Sequence, residues 1–508
     1  MNILMLFAPV FNKFGCDISH SLKEILNEDI KIHGLCTGGV GVVKQVREEL
    51  GPIGGKLWDL NTEIELEFLK KDLVTDEEVL DILSENIEPG AFGRILTADR
   101  QIGVGLVSGG RVRFSPMVRY AISEPNIYPR RYVTNLIRFI NDVLDEINPD
   151  AVFCYAVAGA PAVCLAELCS ARSIPFLCPV STRFGNRYII DTDARGRLKP
   201  IEIAFNEAQK NNIDISPWIE QAKDELYKFQ TRPEIPGYEI YNKKIRSKEL
   251  LLPEIMKSIK RTCLYFASLL LRKNIKNIRK YPIIESWKKV DVILRRKTVD
   301  IFSPFSKQLP NERPFVYFPL HVDPEASTMV LSPMHTDQIS VIEALSKSAP
   351  PDLDIIVKEH APMLGLRPKG FYDRIKKLPR VTLLGPEYNG FELIRKSALT
   401  AVITGTAGWE AVRLKKPVIF IGDSPYLAIK EGIIHSPCLN DLPKKMIEAL
   451  NLPLAKDDTL FVYISVILRE SFEMDSGFLW GNYMGYSSEE RDGISKVIAQ
   501  NILHRIRS

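Results

Sequence analysis

The sequence predicts an α/β chain of two doubly wound units, each a parallel sheet covered by helices on both faces, with a basic helical segment between them. Three observations carry that expectation. Unbroken apolar runs of strand length alternate with segments of helical period, first before residue 178 and again after Pro314. A length of 508 residues exceeds what one hydrophobic core usually serves. Charge is unevenly spread: Asn242–Asp300 holds 17 Lys and Arg against 5 Asp and Glu, while the rest holds 50 basic and 58 acidic residues.

Met1–Pro9 reads as the first strand, followed by a helix over Asp17–Leu26 and a strand over Ile30–Cys36 that ends in the turn Thr37-Gly38-Gly39. Tyr132–Ile147 has apolar residues at helical spacing and stops at Asn148-Pro149. Ala151–Val157 is a strand, Pro161–Ala171 an Ala- and Cys-rich helix, and Ile174–Leu177 another short strand. Lys199–Val299 changes character: it is polar, Lys-rich, helical in period and broken by prolines, as a bridge or insertion would be. After Pro314 come strands at Phe315–Leu320, Asp354–Lys358, Val381–Leu384, Leu399–Ile403 and Pro417–Ile421, the last of the series. Helices at Asp337–Ser346, Pro368–Lys377, Gly390–Lys396 and Ala407–Leu414 alternate with them, and Thr336 or Asp337 caps the first. The expected division is 1–200, 201–310, 311–480 and a helical tail at 481–508 that returns to the first unit. Two such units face each other across a cleft.

Composition narrows the function. At 45% hydrophobic and 26% charged the chain is ordinary globular protein, not collagen-like, low-complexity or disordered. A net charge of +4 excludes a general nucleic-acid binder. The eight cysteines form no C-x-x-C and no paired framework, which fits a reducing cytoplasm. MNILMLFAPVF has no basic leader and reads as a strand, not a signal peptide. The apolar stretch Cys263–Leu271 is nine residues, where a membrane span needs about 20. No G-x-x-x-x-G-K-[ST], strand-opening G-x-G-x-x-G or G-x-S-x-G is present, which removes support from P-loop ATPases, classical dehydrogenases and α/β-hydrolases.

Three clusters sit where strands of the second unit end, the edge that carries function in such sheets. In Ile403-Thr404-Gly405-Thr406-Ala407-Gly408-Trp409-Glu410, a strand enters a small-residue turn and then a helix. Backbone N–H groups at that start suit a phosphate, and Glu410, one turn in, suits ribose hydroxyls. A plain tight turn capped by Thr406 explains the same residues. Lys358, Glu359 and His360 leave an apolar strand and suit a phosphate or a departing nucleotide, or form a solvated charge cluster. His321, Asp323 and Glu325 offer an acid, a base or substrate contacts, or an ordinary acidic loop. In the first unit, Thr97-Ala98-Asp99-Arg100 and Arg183-Phe184-Gly185-Asn186-Arg187 read as polar clusters more suited to ion pairing. No carboxylate pair or His/Cys set announces a metal.

The runs VKEHAPMLGLRPKGFY, PRVTLLGP and TGTAGWEAVRLKKPVIFIG resemble bacterial capsule polysaccharide biosynthesis proteins, a family that includes Kdo transferases using a CMP-activated sugar. The resemblance covers Pro314–Asp423 and implies a GT-B fold: two Rossmann-like domains, the acceptor on the first and the nucleotide-sugar donor on the second. It implies metal-independent transfer to a surface or capsular polysaccharide or a glycolipid, with no cofactor because the nucleotide-sugar is a substrate. CMP-Kdo or another CMP-sugar is the favoured donor, with a UDP-sugar as the other choice. Donor binding then falls on Lys358, Glu359, His360, Thr404, Gly405, Thr406, Gly408 and Glu410. His360 serves catalysis, and Asp99, Asp323 or Glu325 activates the acceptor. Where the family has Pro after the His, this chain has Ala361, with Pro362 one place later. The alternatives are a sugar-nucleotide epimerase or polyol-phosphate transferase on the same scaffold, or a non-catalytic nucleotide-sugar-binding subunit of a glycan assembly complex. The basic segment 242–300 is expected to dock on an anionic inner membrane surface, through Lys273, Lys276 and Lys280 among others, or to pack as a solvated bridge.

Overall fold

The structure, a computed structural model, describes residues 1–26, 29–60, 62–63, 88, 90–99, 128–193, 195–233, 251–270, 282–309, 313–323, 325–480 and 482–507. Arg100, Pro324, Lys273, Lys276 and Lys280 lie outside them.

The first unit is built on β1 (Asn2–Phe7), β2 (Lys31–Cys36), β3 (Gly54–Asp59), β4 (Ala151–Cys154), β5 (Phe176–Ser181) and β6 (Arg187–Asp191). The second is built on β7 (Phe315–Pro319), β8 (Asp354–Lys358), β9 (Val381–Leu384), β10 (Leu399–Val402), β11 (Val418–Phe420) and β12 (Ile433–His435), and the chain then adds β13 (Phe472–Glu473) to the first sheet. The orders are β13-β6-β5-β4-β1-β2-β3 and β12-β11-β10-β7-β8-β9. Strands β1 to β5 are parallel, β6 and β13 antiparallel, and the whole second sheet is parallel. Both are Rossmann-like, with the order reversing between β1 and β4 in one sheet and between β7 and β10 in the other. The series does not end at Pro417–Ile421, since β12 follows.

Central strands are buried on both faces, which is why they read as unbroken apolar runs: β10 is buried throughout, and β1 everywhere except Asn2. The helices end where local chemistry dictates. Helix Tyr128–Ile147 stops as Asn148 takes a left-handed φ of 45° and donates its N–H to the Leu144 carbonyl, with Pro149 next. Helix Gln338–Ser348 starts where the Asp337 carboxylate accepts the Ile339 N–H at 3.1 Å.

Helices Lys199–Gln209 and Ser216–Thr231 pack on Asp457–Glu470 and share a core with the second sheet, where Phe205 meets Tyr463 edge-to-face at 5.1 Å. The final helix, Ser488–Arg507, lies on Asn12–Leu26 in the core of the first sheet. The chain therefore crosses twice between the units. At these crossings Tyr426 Oη donates to the Thr182 carbonyl at 3.2 Å, and Arg187 pairs with Glu473 at 3.0 Å. Arg187 opens β6, and its neighbours from Arg183 form the β5–β6 hairpin turn.

Candidate functional site at the carboxyl edge of the second sheet

Register places the candidate residues. Strand β7 pairs Pro319 with Lys358, and β10 pairs Leu399 with Val316 and Thr400 with Tyr317. Continuing each strand by a few residues puts Thr404, His321 and His360 at one level, at the point where the strand order reverses. A ligand crevice forms there in sheets of this kind.

Hydrogen bonds lock that row. His321 is 6% exposed, and its Nε2 accepts the Thr404 N–H at 3.3 Å. Its backbone is held twice by Gln338: the N–H donates to Gln338 Oε1 at 2.7 Å, and the carbonyl accepts from Nε2 at 3.2 Å. Arg367 Nη2 adds a third bond to this backbone, donating to the same carbonyl at 2.9 Å. Arg367 also grips Glu359 in a fork, Nε to Oε2 at 3.0 Å and Nη2 to Oε1 at 2.8 Å. Glu359 Oε1 in turn accepts the His360 N–H at 2.6 Å. One network thus ties together the exits of β8, β7 and β10.

The network corrects one expectation. Glu359 is not open at the edge, as a donor-binding residue would be: it is wholly buried and turned onto Arg367, because successive residues leaving a strand point to opposite sides. His360 is a neutral ring in this environment. Burial first, then the charges of Lys358 and Arg367, push its imidazole down to about 4 against the opposing pull of Glu359. His321 is held still lower, at about 3, by burial, His360 and Arg367. At neutral pH both rings are neutral hydrogen-bonding groups. With Nε2 of His321 accepting from Thr404, the ring's hydrogen sits on Nδ1.

The turn after β10 is shaped for close approach. Gly405, not Thr406, is the N-cap of helix Thr406–Arg413, and no side chain caps that helix. Its first turn is thus left to backbone donors and the positive end of the helix dipole. A Cβ at Gly405 would stand 3.0 Å from His321 Nε2. Thr404 Oγ1 donates to the Ser327 carbonyl at 2.7 Å, and a Cβ at Gly422, just past β11, would meet Thr404 Cγ2 at 2.7 Å. Gly408 is buried beneath the turn: a Cβ there would stand 2.9 Å from Val402 Cγ2 and drive into the Phe420 ring. Its role is helix-to-sheet packing, not ligand contact. Thr404, Gly405, Thr406 and Glu410 are half-buried at the edge itself.

The carboxylates divide by exposure. Glu325 is exposed and accepts from Ser327 Oγ at 3.0 Å, Asp323 is half-buried, and Asp99 is 1% exposed at the end of helix Ala91–Ala98. As placed, Asp99 is closed to an acceptor. That helix packs against the segment Ala326–His335 of the second unit, so both units meet beside the turn. There Arg195 bridges Glu88 at 3.3 Å and, across the cleft, Asp423 at 3.7 Å, while Arg94 forks onto Glu167 at 2.6 and 2.8 Å. Asp423, Arg195 and Arg367 went unmarked in the sequence. The only signal for Asp423 is its place two residues past the apolar run Val418–Ile421.

Residues 266–433 match the sequence pattern of a family described as capsule polysaccharide biosynthesis protein. That segment runs from the end of helix Leu251–Leu270 to the start of β12 and contains His321, His360, Arg367 and the Thr404–Glu410 turn. No curated protein matches the chain. Among solved structures, the UDP-GlcNAc 2-epimerase of Neisseria meningitidis is 13% identical, with 99% of this chain and 100% of that one covered at a TM-score of 0.23. The KpsC β-Kdo 2,4 transferase of Thermosulfurimonas dismutans is 12% identical over 62% of this chain and 79% of that one, at 0.34. Its β-Kdo 2,7 transferase is 13% identical over 67% and 84%, at 0.30. With scores this low, the fold stands on the chain's own two strand orders.

Proposed function

We propose that the protein is a glycosyltransferase that moves a sugar from a nucleotide-activated donor to a capsular or surface glycan acceptor. The observation that carries this reading is a coincidence of place. The capsule-biosynthesis segment brings a neutral, preorganised His360 and an uncapped helix start at Gly405 to one edge of a Rossmann-like sheet, at its switch point. The donor phosphate lies against the backbone N–H groups of Thr406 and Ala407, with Lys358 and His360 stabilising charge as it develops on the departing nucleotide. Glu410 meets the ribose. Glu325, the carboxylate in solvent, or Asp323 beside it takes the proton from the acceptor hydroxyl. The donor proposed is a CMP-sugar such as CMP-Kdo, ahead of a UDP-sugar. These groups neutralise the leaving phosphate without a metal, so turnover is expected to survive chelation. All eight cysteines are free, which supports a reducing, cytoplasmic setting.

The test is transfer from labelled CMP- and UDP-sugars to capsular oligosaccharide, comparing wild type with His360→Ala. Loss of one preorganised donor to a developing anion costs about 10²–10³ in rate. Wild-type turnover in the variant removes His360 from the mechanism. Interconversion of the sugar nucleotide without transfer replaces the reading with an epimerase, and binding without any turnover replaces it with a carrier subunit.

A further inference from the structure

The helix Leu251–Leu270 buries one side and leaves another bare. Its inner side includes fully buried Ser258 and half-buried Leu251, Ile255 and Thr262, and it packs on helix Pro282–Ile301, whose Trp287 Nε1 donates to Thr262 Oγ1 at 3.2 Å. On the outer side Leu252, Met256, Ile259, Cys263 and Phe266 follow one another at alternating steps of four and three residues, which aligns them in one stripe. Leu252, Met256, Ile259 and Phe266 are 75%, 62%, 44% and 58% exposed, and Cys263 is exposed too. The stripe runs about 20 Å along the helix. An unbroken apolar strip of that length marks an interaction surface.

Charge identifies the occupant. Lys260 is exposed beside the stripe, Lys257 and Arg261 are exposed further round the helix, and the helix's acidic residue, Glu254, is tied to Lys257 at 3.0 Å. The surrounding sequence, Asn242–Asp300, carries 17 basic and 5 acidic residues. A second copy of the same surface would bring like charges together, whereas an anionic lipid surface complements them. We propose that helix Leu251–Leu270 lies in the plane of an anionic membrane surface, its apolar stripe at the headgroup–acyl boundary and its Lys and Arg side chains on lipid phosphates. Trp287, 41% exposed at the border of the stripe, is the side-chain type that settles at such a boundary. No helix among the described residues is long and apolar enough to cross a membrane, so the contact is one of lying on the surface. Docking there would hold the cleft near acceptors built on lipid.

The test is flotation of the full chain with vesicles of phosphatidylcholine alone or with added phosphatidylglycerol, with no sugar donor present. The readout thus stands or falls apart from the transferase reading. Wild type is expected to float only with the phosphatidylglycerol vesicles and to be released as salt rises from 0.1 to 1 M, where the screening length falls from about 10 to about 3 Å. Met256→Ser/Phe266→Ser removes the apolar contact. Lys257→Glu/Lys260→Glu removes the charge and weakens partitioning at least about 30-fold, at about 5-fold per basic residue. All four side chains are solvent-facing, so both variants are expected to melt at the wild-type temperature. Absence of wild-type binding to phosphatidylglycerol vesicles overturns the proposal, as does binding that neither variant weakens. So does a concentration-dependent dimer, without lipid, that Met256→Ser/Phe266→Ser dissociates: the stripe is then a self-association surface.

Discussion

Replacing Arg367 with Met isolates the ion pair that holds the row of site residues. Arg367 and Glu359 side chains are 2% and 0% exposed, and Arg367 makes two bonds to the carboxylate and one to the His321 carbonyl. Removing one partner of a buried pair leaves the other charge uncompensated, at a cost of about 3–5 kcal/mol. For a unit of this size each kcal/mol lowers Tm by roughly 2–4 °C, so the single variant is expected to melt about 10 °C below wild type. Glu359→Gln added to Arg367→Met removes the stranded charge while keeping an oxygen for the His360 N–H, and should recover about half of that loss. The double variant will not reach wild type, because the His321 carbonyl bond and the stacking of Arg367 over Phe371 at 4.8 Å are lost in both. Thermal unfolding of the four proteins at neutral pH, read by circular dichroism as a double-mutant cycle, supplies the coupling. A double variant that melts no higher than Arg367→Met would refute the argument that an unpaired Glu359 carries the cost.

The remaining predictions concern acid and glycine. His321 takes a proton at about 6.5 when unfolded and only at about 3 when folded, so below about pH 6.5 the unfolded chain binds more protons and stability falls as pH falls. At pH 5 this one ring removes about 2 kcal/mol relative to pH 8, and His321→Gln should flatten the acid side of a Tm-versus-pH curve; an unchanged slope would place the titration elsewhere. Gly405→Val and Gly408→Ala should part company. The first sets carbon atoms against His321 Nε2 and is expected to weaken nucleotide affinity in a folded protein, measured by calorimetry. The second forces the fully buried Phe420 ring to shift and should cost about 1–3 kcal/mol in stability with little effect on nucleotide affinity, and the reverse pattern would exchange their roles.

Much of the architecture is legible in the chain because central parallel strands exclude water from both faces. Selection for apolar residues then leaves no alternation, and β8 and β9 can be read off to the residue, as can helix Gly390–Lys396, whose Asn389 cap the structure adds. The pattern reading leaves out β3, β6, β12 and β13 and the helices Val40–Leu50, Leu442–Asn451 and Asp457–Glu470. Strands β12 and β13, of three and two residues, present no run long enough to distinguish strand from loop, whereas the helix Asp457–Glu470 is long and buried and simply goes unread.

The sequence by itself determined that polar residues gather where strands of the second sheet end: Lys358, Glu359 and His360 after one, His321 and Asp323 after another, Thr404 and Thr406 after a third. Only the tertiary structure decided which of them are buried against a partner and which stay open at that edge. Strand register set Thr404, His321 and His360 level, and the reversal of side-chain direction turned Glu359 inward to a partner eight residues away in an irregular loop. Exposure separated Glu325 from Asp99, and the meeting of the two units brought Arg195 to Asp423. Local patterns record whether a residue meets water or core, and that is a property of one strand or helix. Which charge lies opposite which is fixed by segments remote in sequence, and no period in the chain encodes it.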